Sequence, residues 1–322
     1  MTNAPGRAAV AAALLTLLTL TACGSGQPTT PAARSAGAGP RTTSDSRADS
    51  RAGSRPDNHA GGHRYHRYVA LGDSYTAAPF VTAGSARNPC VRSGANYPHL
   101  LARALGVRLV DRSCTGADIP NLTQGQLLRT GTAAPQVAAV TAGTDLVTVG
   151  IGGNPAAAQA WFEVCPALRA RDPHGSPCRD HFSAASEGGT DLVTGLVRQE
   201  RRQLADLLSV LHRRAPHARI LLVGYPAIFP EKGQCPRVLT LADGDVAYAR
   251  ATLLRLNAMI ERAAATGRAE YVDVYAATRG HDVCASDPWI QGREDALGVA
   301  LAYHPHAEEQ RAVADLLLRR VR

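Results

Sequence analysis

Beyond about residue 65, short and nearly continuous apolar runs alternate with longer stretches in which apolar side chains recur every three to four residues. The runs are Tyr68 to Leu71, Val107 to Val110, Leu146 to Val149, Ile220 to Val223 and Tyr271 to Val274. Each is of strand length, and a run without alternation suits a strand covered on both faces. The clearest helical stretch spans Asp191 to Arg214, where Val193, Leu196, Val197, Leu204, Leu207, Leu208 and Leu211 share one face and Pro216 follows as a stop signal. Similar patterns cover Pro98 to Leu105, Tyr248 to Ala264 and Ala307 to Leu318. Strands alternating with helices imply right-handed crossovers and an α/β fold, a three-layer α/β/α sandwich around a parallel five-stranded sheet. Such sheets place ligands at the carboxyl ends of their strands.

The N-terminal part has a different pattern. Arg7 precedes an apolar run from Ala8 to Leu20, short for a bilayer span and suited to the core of an export signal. Leu20-Thr21-Ala22-Cys23 then resembles the lipobox of bacterial lipoproteins, in which the cysteine is lipidated. From Gly24 to residue 65 the chain is Gly, Ser, Thr, Pro, Ala and Arg with few large apolar residues, too few to offset the entropy of ordering. The expected organisation is a signal peptide over 1–23, a disordered linker over 24–65 and a folded domain over 66–322. A tether of about forty residues has a root-mean-square reach of roughly 35 Å. Export is expected, with the protein lipid-anchored through Cys23 to the outer face of the membrane or secreted.

Charge and composition narrow the partners. The net charge of +8 arises almost entirely from arginine, since Lys232 is the only lysine, and the arginines are scattered. With aromatics at 5% there is no basic stripe interleaved with stacking residues, so no nucleic-acid partner is expected. Seven cysteines divide into Cys23 and an even set of six (Cys90, Cys114, Cys165, Cys178, Cys235 and Cys284), which outside the cell suggests three disulfides. His304-Pro305-His306 and His281-Asp282 lack a ligand spacing, so neither metal nor cofactor is expected, and the domain is expected to be a monomer.

The chemistry-bearing residues fall at strand ends. The first run leads into Gly72-Asp73-Ser74-Tyr75, the second into Ser113-Cys114-Thr115-Gly116-Ala117 and the third into Gly150-Ile151-Gly152-Gly153-Asn154, while His304-Pro305 precedes the last helical pattern. Taken singly, Ser74 could cap a helix, the glycines could serve turns and His304 could be a surface residue. Together, and in this order, the four blocks resemble those of the GDSL lipases and esterases, or SGNH hydrolases, in particular the secreted enzymes of actinobacteria. The resemblance spans the folded part and implies a flavodoxin-like sandwich and carboxylester hydrolysis. It assigns the nucleophile to Ser74, the base to His304, and the oxyanion donors to the Ser74 and Gly116 amides and the Asn154 side chain. A serine hydroxyl needs an imidazole to take its proton, and the tetrahedral intermediate needs donors for its oxyanion. A Gly-x-Ser-x-Gly elbow is missing, which argues against the α/β-hydrolase fold.

One departure stands out: Leu301 occupies the position three residues before the histidine where relatives often carry aspartate, and Pro155 follows Asn154 where aspartate is frequent. A backbone carbonyl can orient an imidazole without a carboxylate. Resemblance to actinobacterial relatives points to the carbonyl of Trp289, with Asp287 and, less favoured, Asp282 as competing carboxylates. The same resemblance favours pairing Cys90 with Cys114, Cys165 with Cys178 and Cys235 with Cys284, one of fifteen possible connectivities. Trp161, Phe162 and Phe182, between Pro155 and Gly189, either wall an acyl pocket or belong to the core. Lipid or small acyl esters are the expected substrates. Deacetylation of a polysaccharide and non-catalytic ligand binding by a surface lipoprotein are the alternatives.

Overall fold

The computed structural model describes residues 65–154, 160–184 and 190–322, so the signal segment with Cys23 and nearly all of the linker lie outside the described residues. Five strands form one parallel sheet: β1 (Arg67–Gly72), β2 (Arg108–Asp111), β5 (Leu146–Gly150), β6 (Arg219–Val223) and β7 (Glu270–Val272), ordered β2-β1-β5-β6-β7. Between β2 and β5 a small antiparallel hairpin, β3 (Gln126–Leu128) and β4 (Gly131–Ala133), stands apart from the sheet.

The period-two geometry of the strands splits the core in two. Val69, Leu71, Val147, Val149, Ile220 and Leu222 point to one side, where α6 (Leu192–Arg214) and α7 (Asp245–Thr266) cover them. Tyr68, Ala70, Leu146, Leu221, Val223 and Val272 point to the other, beneath α2 (Tyr97–Leu105) and α9 (Ala307–Val321). Two layers of helix on one sheet explain why the strands read as unbroken apolar runs. The strands β1 and β5 are buried along almost their whole length.

The helix ends follow local chemistry. Asn96 caps α2, accepting from the His99 amide, and Pro98 sits in the first turn, where its missing N–H costs nothing. Asp191 caps α6 through the Thr194 amide at 2.9 Å. The expected strand over Tyr271 to Val274 is cut short: β7 ends at Val272 because Asp273 caps a four-residue helix, α8 (Val274–Ala277), accepting from the Ala276 amide at 3.0 Å. Shorter helices complete the chain order: α1 (Ser74–Ala77), α3 (Ile119–Gln124), α4 (Cys165–Arg169) and α5 (Pro177–Ala184). The ordered fold also takes in Tyr65, assigned above to the linker: it is buried, and its hydroxyl donates to the Val321 carbonyl at 3.3 Å.

Disulfides join Cys90 to Cys114, Cys165 to Cys178 and Cys235 to Cys284, with Cα separations of 4.4, 5.1 and 5.6 Å. The first lies beside the turn after β2, the second clips α4 to α5, and the third ties the segment after β6 to the loop that leads toward His304.

Candidate active site

The strand order reverses at β1, whose neighbours are β2 on one side and β5 on the other. The loops after these three strands therefore open a cleft at their carboxyl ends. The cleft encloses about 570 Å³, part of it open to solvent, and Ser74, Gly116, Asn154 and His304 all line it. Four blocks far apart in sequence thus meet at one cavity.

Ser74 is the first residue of α1. Asp73 caps this helix, its carboxylate accepting from the Tyr75 amide at 2.9 Å. The end of β1 is clamped by Gln136, which accepts from the Gly72 amide at 2.8 Å and donates to the Gly72 carbonyl at 3.0 Å. Ser74 itself is 5% exposed, reachable only through the cleft.

Gly116 holds a φ of +77° in the turn closed by the Ala117 amide on the Cys114 carbonyl, a left-handed conformation for which glycine is suited. The Asn154 side-chain amide donates to the Ala117 carbonyl at 3.2 Å, so the second and third blocks are stitched together. Among the described residues, no backbone hydrogen bond consumes the Ser74 or Gly116 amide. Both amides remain as donors.

The His304 side of the cleft is a long irregular loop. Tyr303 has φ +61°, and this left-handed turn brings the Ala302 carbonyl to 2.7 Å from His304 Nδ1. Tyr303 is held by three elements: its amide donates to the Gly292 carbonyl at 3.1 Å, its hydroxyl lies 2.8 Å from Thr240 Oγ1, and its carbonyl accepts from the Tyr75 hydroxyl at 2.8 Å. Asp295 steadies the same turn by accepting from the Ala302 amide at 2.9 Å. Burial is the main influence on His304 and holds its imidazole down at about 4, against smaller upward pulls from the Ala302 carbonyl and Asp295. At neutral pH the ring is uncharged, with Nδ1–H donating to Ala302 and the Nε2 lone pair free. Ser74 and His304 both face the cavity, with no hydrogen bond between them.

The Trp289 carbonyl is not the orienter. It accepts from the His306 amide at 2.8 Å, while its ring stacks on His281 with centroids 3.7 Å apart. The reason is the left-handed turn at Tyr303, which supplies a nearer carbonyl two residues before the histidine. Asp287 is also engaged elsewhere, its Oδ2 lying 3.3 Å from His281 Nδ1, and Asp282 accepts from the Cys284 amide.

Behind Ser74 lies a network that the sequence reading missed. Tyr225, just beyond β6, donates its hydroxyl to Asp73 Oδ2 and accepts from the Gly153 amide at 2.6 Å. Burial, its largest influence, pushes the Asp73 carboxyl up to about 7 against these hydrogen bonds. Close by, Glu200 of α6 is 3% exposed, neither carboxyl oxygen has a hydrogen-bond partner among the described residues, and burial pushes it up to about 9. The only sequence signal for either residue was the polar break it makes in an apolar pattern.

The rest of the cleft is apolar. Trp161 and Phe162 line it with Ile228, Leu253 and Leu256, whereas Phe182 is core, its ring edge-on to His181. Phe162 stacks on Tyr303 with centroids 4.3 Å apart, and Trp161 meets Phe229 edge-on at 4.9 Å. Among the described residues, no lysine or arginine lines the cavity.

Residues 70–312 match the GDSL-like lipase/acylhydrolase family. The chain belongs to that family. The match covers most of the chain, and the family is one of carboxylic ester hydrolases. The chain is 38% identical to Lipase 2 of Streptomyces coelicolor over 77% of this chain and 83% of that one. It is 31% identical to a lipase of Streptomyces rimosus over 76% and 82% respectively. Among solved structures, a phospholipase A1 from Streptomyces albidoflavus superposes with a TM-score of 0.64 at 26% identity, covering 80% of this chain and 99% of the other.

Proposed function

We propose that this GDSL-family ester hydrolase cleaves neutral, apolar acyl esters through an acyl-serine intermediate on Ser74. What carries this reading is the single cleft in which Ser74 meets a neutral His304 whose Nδ1–H is fixed on the Ala302 carbonyl. His304 Nε2 takes the Ser74 proton as Oγ attacks the ester carbonyl, and then delivers it to the departing alkoxide. The oxyanion is received by the Ser74 amide, the Gly116 amide and Asn154 Nδ2. A water, deprotonated by the same imidazole, releases the acid and regenerates Ser74. His304 is an imidazolium only between proton transfers, and the Ala302 carbonyl stabilises it as an uncharged dipole.

The acyl group lies along Trp161, Phe162, Leu253 and Leu256. The absence of a cation from the wall favours a neutral chain there. Export through the N-terminal signal, with lipidation at Cys23, is consistent with a domain holding three disulfides; among the described residues no helix is long and apolar enough to cross a membrane.

A fluorophosphonate probe applied to the purified protein tests the reading. Labelling at Ser74, abolished in Ser74→Ala, is expected, together with faster turnover of octanoyl than acetyl esters. An unlabelled Ser74 would overturn the nucleophile assignment, and acetyl preference would overturn the acyl-pocket assignment.

A further inference from the structure

The reaction described above needs the donors of two separate loops at a fixed spacing: the Ser74 amide after β1, and Asn154 after β5. Past the strand ends, the Asp73 amide and the Thr76 hydroxyl still reach the Gly150 carbonyl of β5 at 3.0 and 3.3 Å, but among the described residues no hydrogen bond joins the Ser74 loop directly to Gly153 or Asn154. Each, however, is bonded to one hydroxyl. Tyr225 donates to Asp73, the residue immediately before Ser74, and accepts from the amide of Gly153, the residue immediately before Asn154. The hydroxyl therefore uses its donor and an acceptor lone pair on the two loops.

The tyrosine is itself immobilised. Its backbone is gripped at both polar atoms by Asn257 of α7, whose Oδ1 accepts from the Tyr225 amide at 2.8 Å and whose Nδ2 donates to the Tyr225 carbonyl at 3.0 Å. The side chain is 3% exposed and packs edge-on against Tyr75 at 5.1 Å, and Tyr75 in turn lies 5.2 Å from the His304 ring. Gly153 lies so close to the tyrosine that a Cβ there would stand 3.0 Å from its Cε1, Cζ and hydroxyl oxygen, so a side chain at this position would press on Tyr225. A buried, doubly clamped ring that spans both loops is a rigid spacer.

We infer that Tyr225 is a positioning residue for ester hydrolysis, setting the distance between the nucleophile loop and the loop that carries Asn154. It acts through Asp73 and Gly153, and it holds no reacting atom. The inference rests on the Ser74–Asn154 reading of the site. Its consequence is specific: removing the hydroxyl leaves the acyl wall intact, so substrate still binds, while the oxyanion donors lose their common anchor. Mispositioned donors weaken transition-state stabilisation and leave ground-state binding almost unchanged.

Tyr225→Phe keeps the ring and deletes both bonds. With an octanoyl ester, kcat is expected to fall about 10- to 100-fold, less than the 10² to 10³ typical of deleting an oxyanion donor outright, while KM stays within about threefold. Phosphonylation of Ser74 by the fluorophosphonate should slow in parallel, since it too develops charge on an oxygen in the same hole. Asn257→Ser, which loosens the tyrosine without touching either loop, should give a smaller fall of the same kind, and it serves as the test if Tyr225→Phe does not fold. A parent enzyme labelled at Ser74, with a Tyr225→Phe variant whose kcat is within about threefold of it or whose loss appears only in KM, would overturn the positioning role. Failure of the parent to label at Ser74 would instead overturn the site reading on which this role depends.

Discussion

The two sides of the cleft are built by different means. On one side, Ser74, Gly116 and Asn154 stand within a few residues of parallel strands, and their positions are fixed by the sheet, by Gln136 and by Tyr225. On the other side, His304 sits in an irregular loop held by an antiparallel bridge between Ile290 and Pro305, by the Gln291 amide on the His304 carbonyl, and by hydrogen bonds to Gly292, Thr240, Tyr75 and Asp295. A strand end needs little beyond the apolar run that precedes it. A loop of this kind needs a particular sequence of backbone turns, including one at a non-glycine residue with positive φ, Tyr303. The difference teaches that, in the proposed reaction, the oxyanion-binding half of the site would belong to the fold, whereas the proton-transfer half would depend on a loop conformation.

Deleting the chemistry on either side should have the largest effect: Ser74→Ala and His304→Ala should each lower kcat about 10⁴-fold or more, with the double variant little worse than either single one. Additive losses in that cycle would show that the two residues act separately. Asn154→Ala comes next, with an expected loss of about 10² to 10³ in kcat and little change in KM. A loss confined to KM would move Asn154 from the oxyanion to the bound substrate.

A smaller effect bears on stability. The native Glu200 carboxyl holds its proton up to about 9, against an ordinary value of 4.5, because burial disfavours its charge. The unfolded chain gives that proton up near 4.5, so the native state binds more protons across this window and its stability falls as pH rises. Glu200→Gln removes this dependence. Its melting temperature relative to the parent should rise between pH 5 and pH 9, and a constant difference would show that Glu200 titrates as an exposed acid. Least of all should follow from Asp282→Asn with Asp287→Asn, because neither carboxylate reaches His304. Activity should stay within about threefold, and a fall of about 10⁴ would restore a carboxylate to the proton-transfer side.

The sequence was most legible where one physical rule dominates. Double burial dictates apolar runs, and the runs located all five sheet strands, to within a residue or two, and hence the ends that carry Ser74, Gly116 and Asn154. The hairpin β3–β4 escaped because Gln126 to Ala133 is polar and packs outside the sheet; Leu127 is 84% exposed. Resemblance points to the Trp289 carbonyl, whereas His304 Nδ1 meets that of Ala302, because nothing in Leu301-Ala302-Tyr303-His304 announces a left-handed tyrosine. Tyr225 and Asn257 were invisible for a related reason: their roles come from partners more than thirty residues away in sequence.

NMR titration of ¹⁵N-histidine in the intact folded domain, with His304→Gln to assign the signal, tests the dyad most directly. Burial should keep the ring neutral until about pH 4, and the Ala302 carbonyl should hold it as the Nδ1–H tautomer. A midpoint at or above the ordinary 6.5, or a neutral ring carrying its proton on Nε2, would contradict a base oriented by a carbonyl.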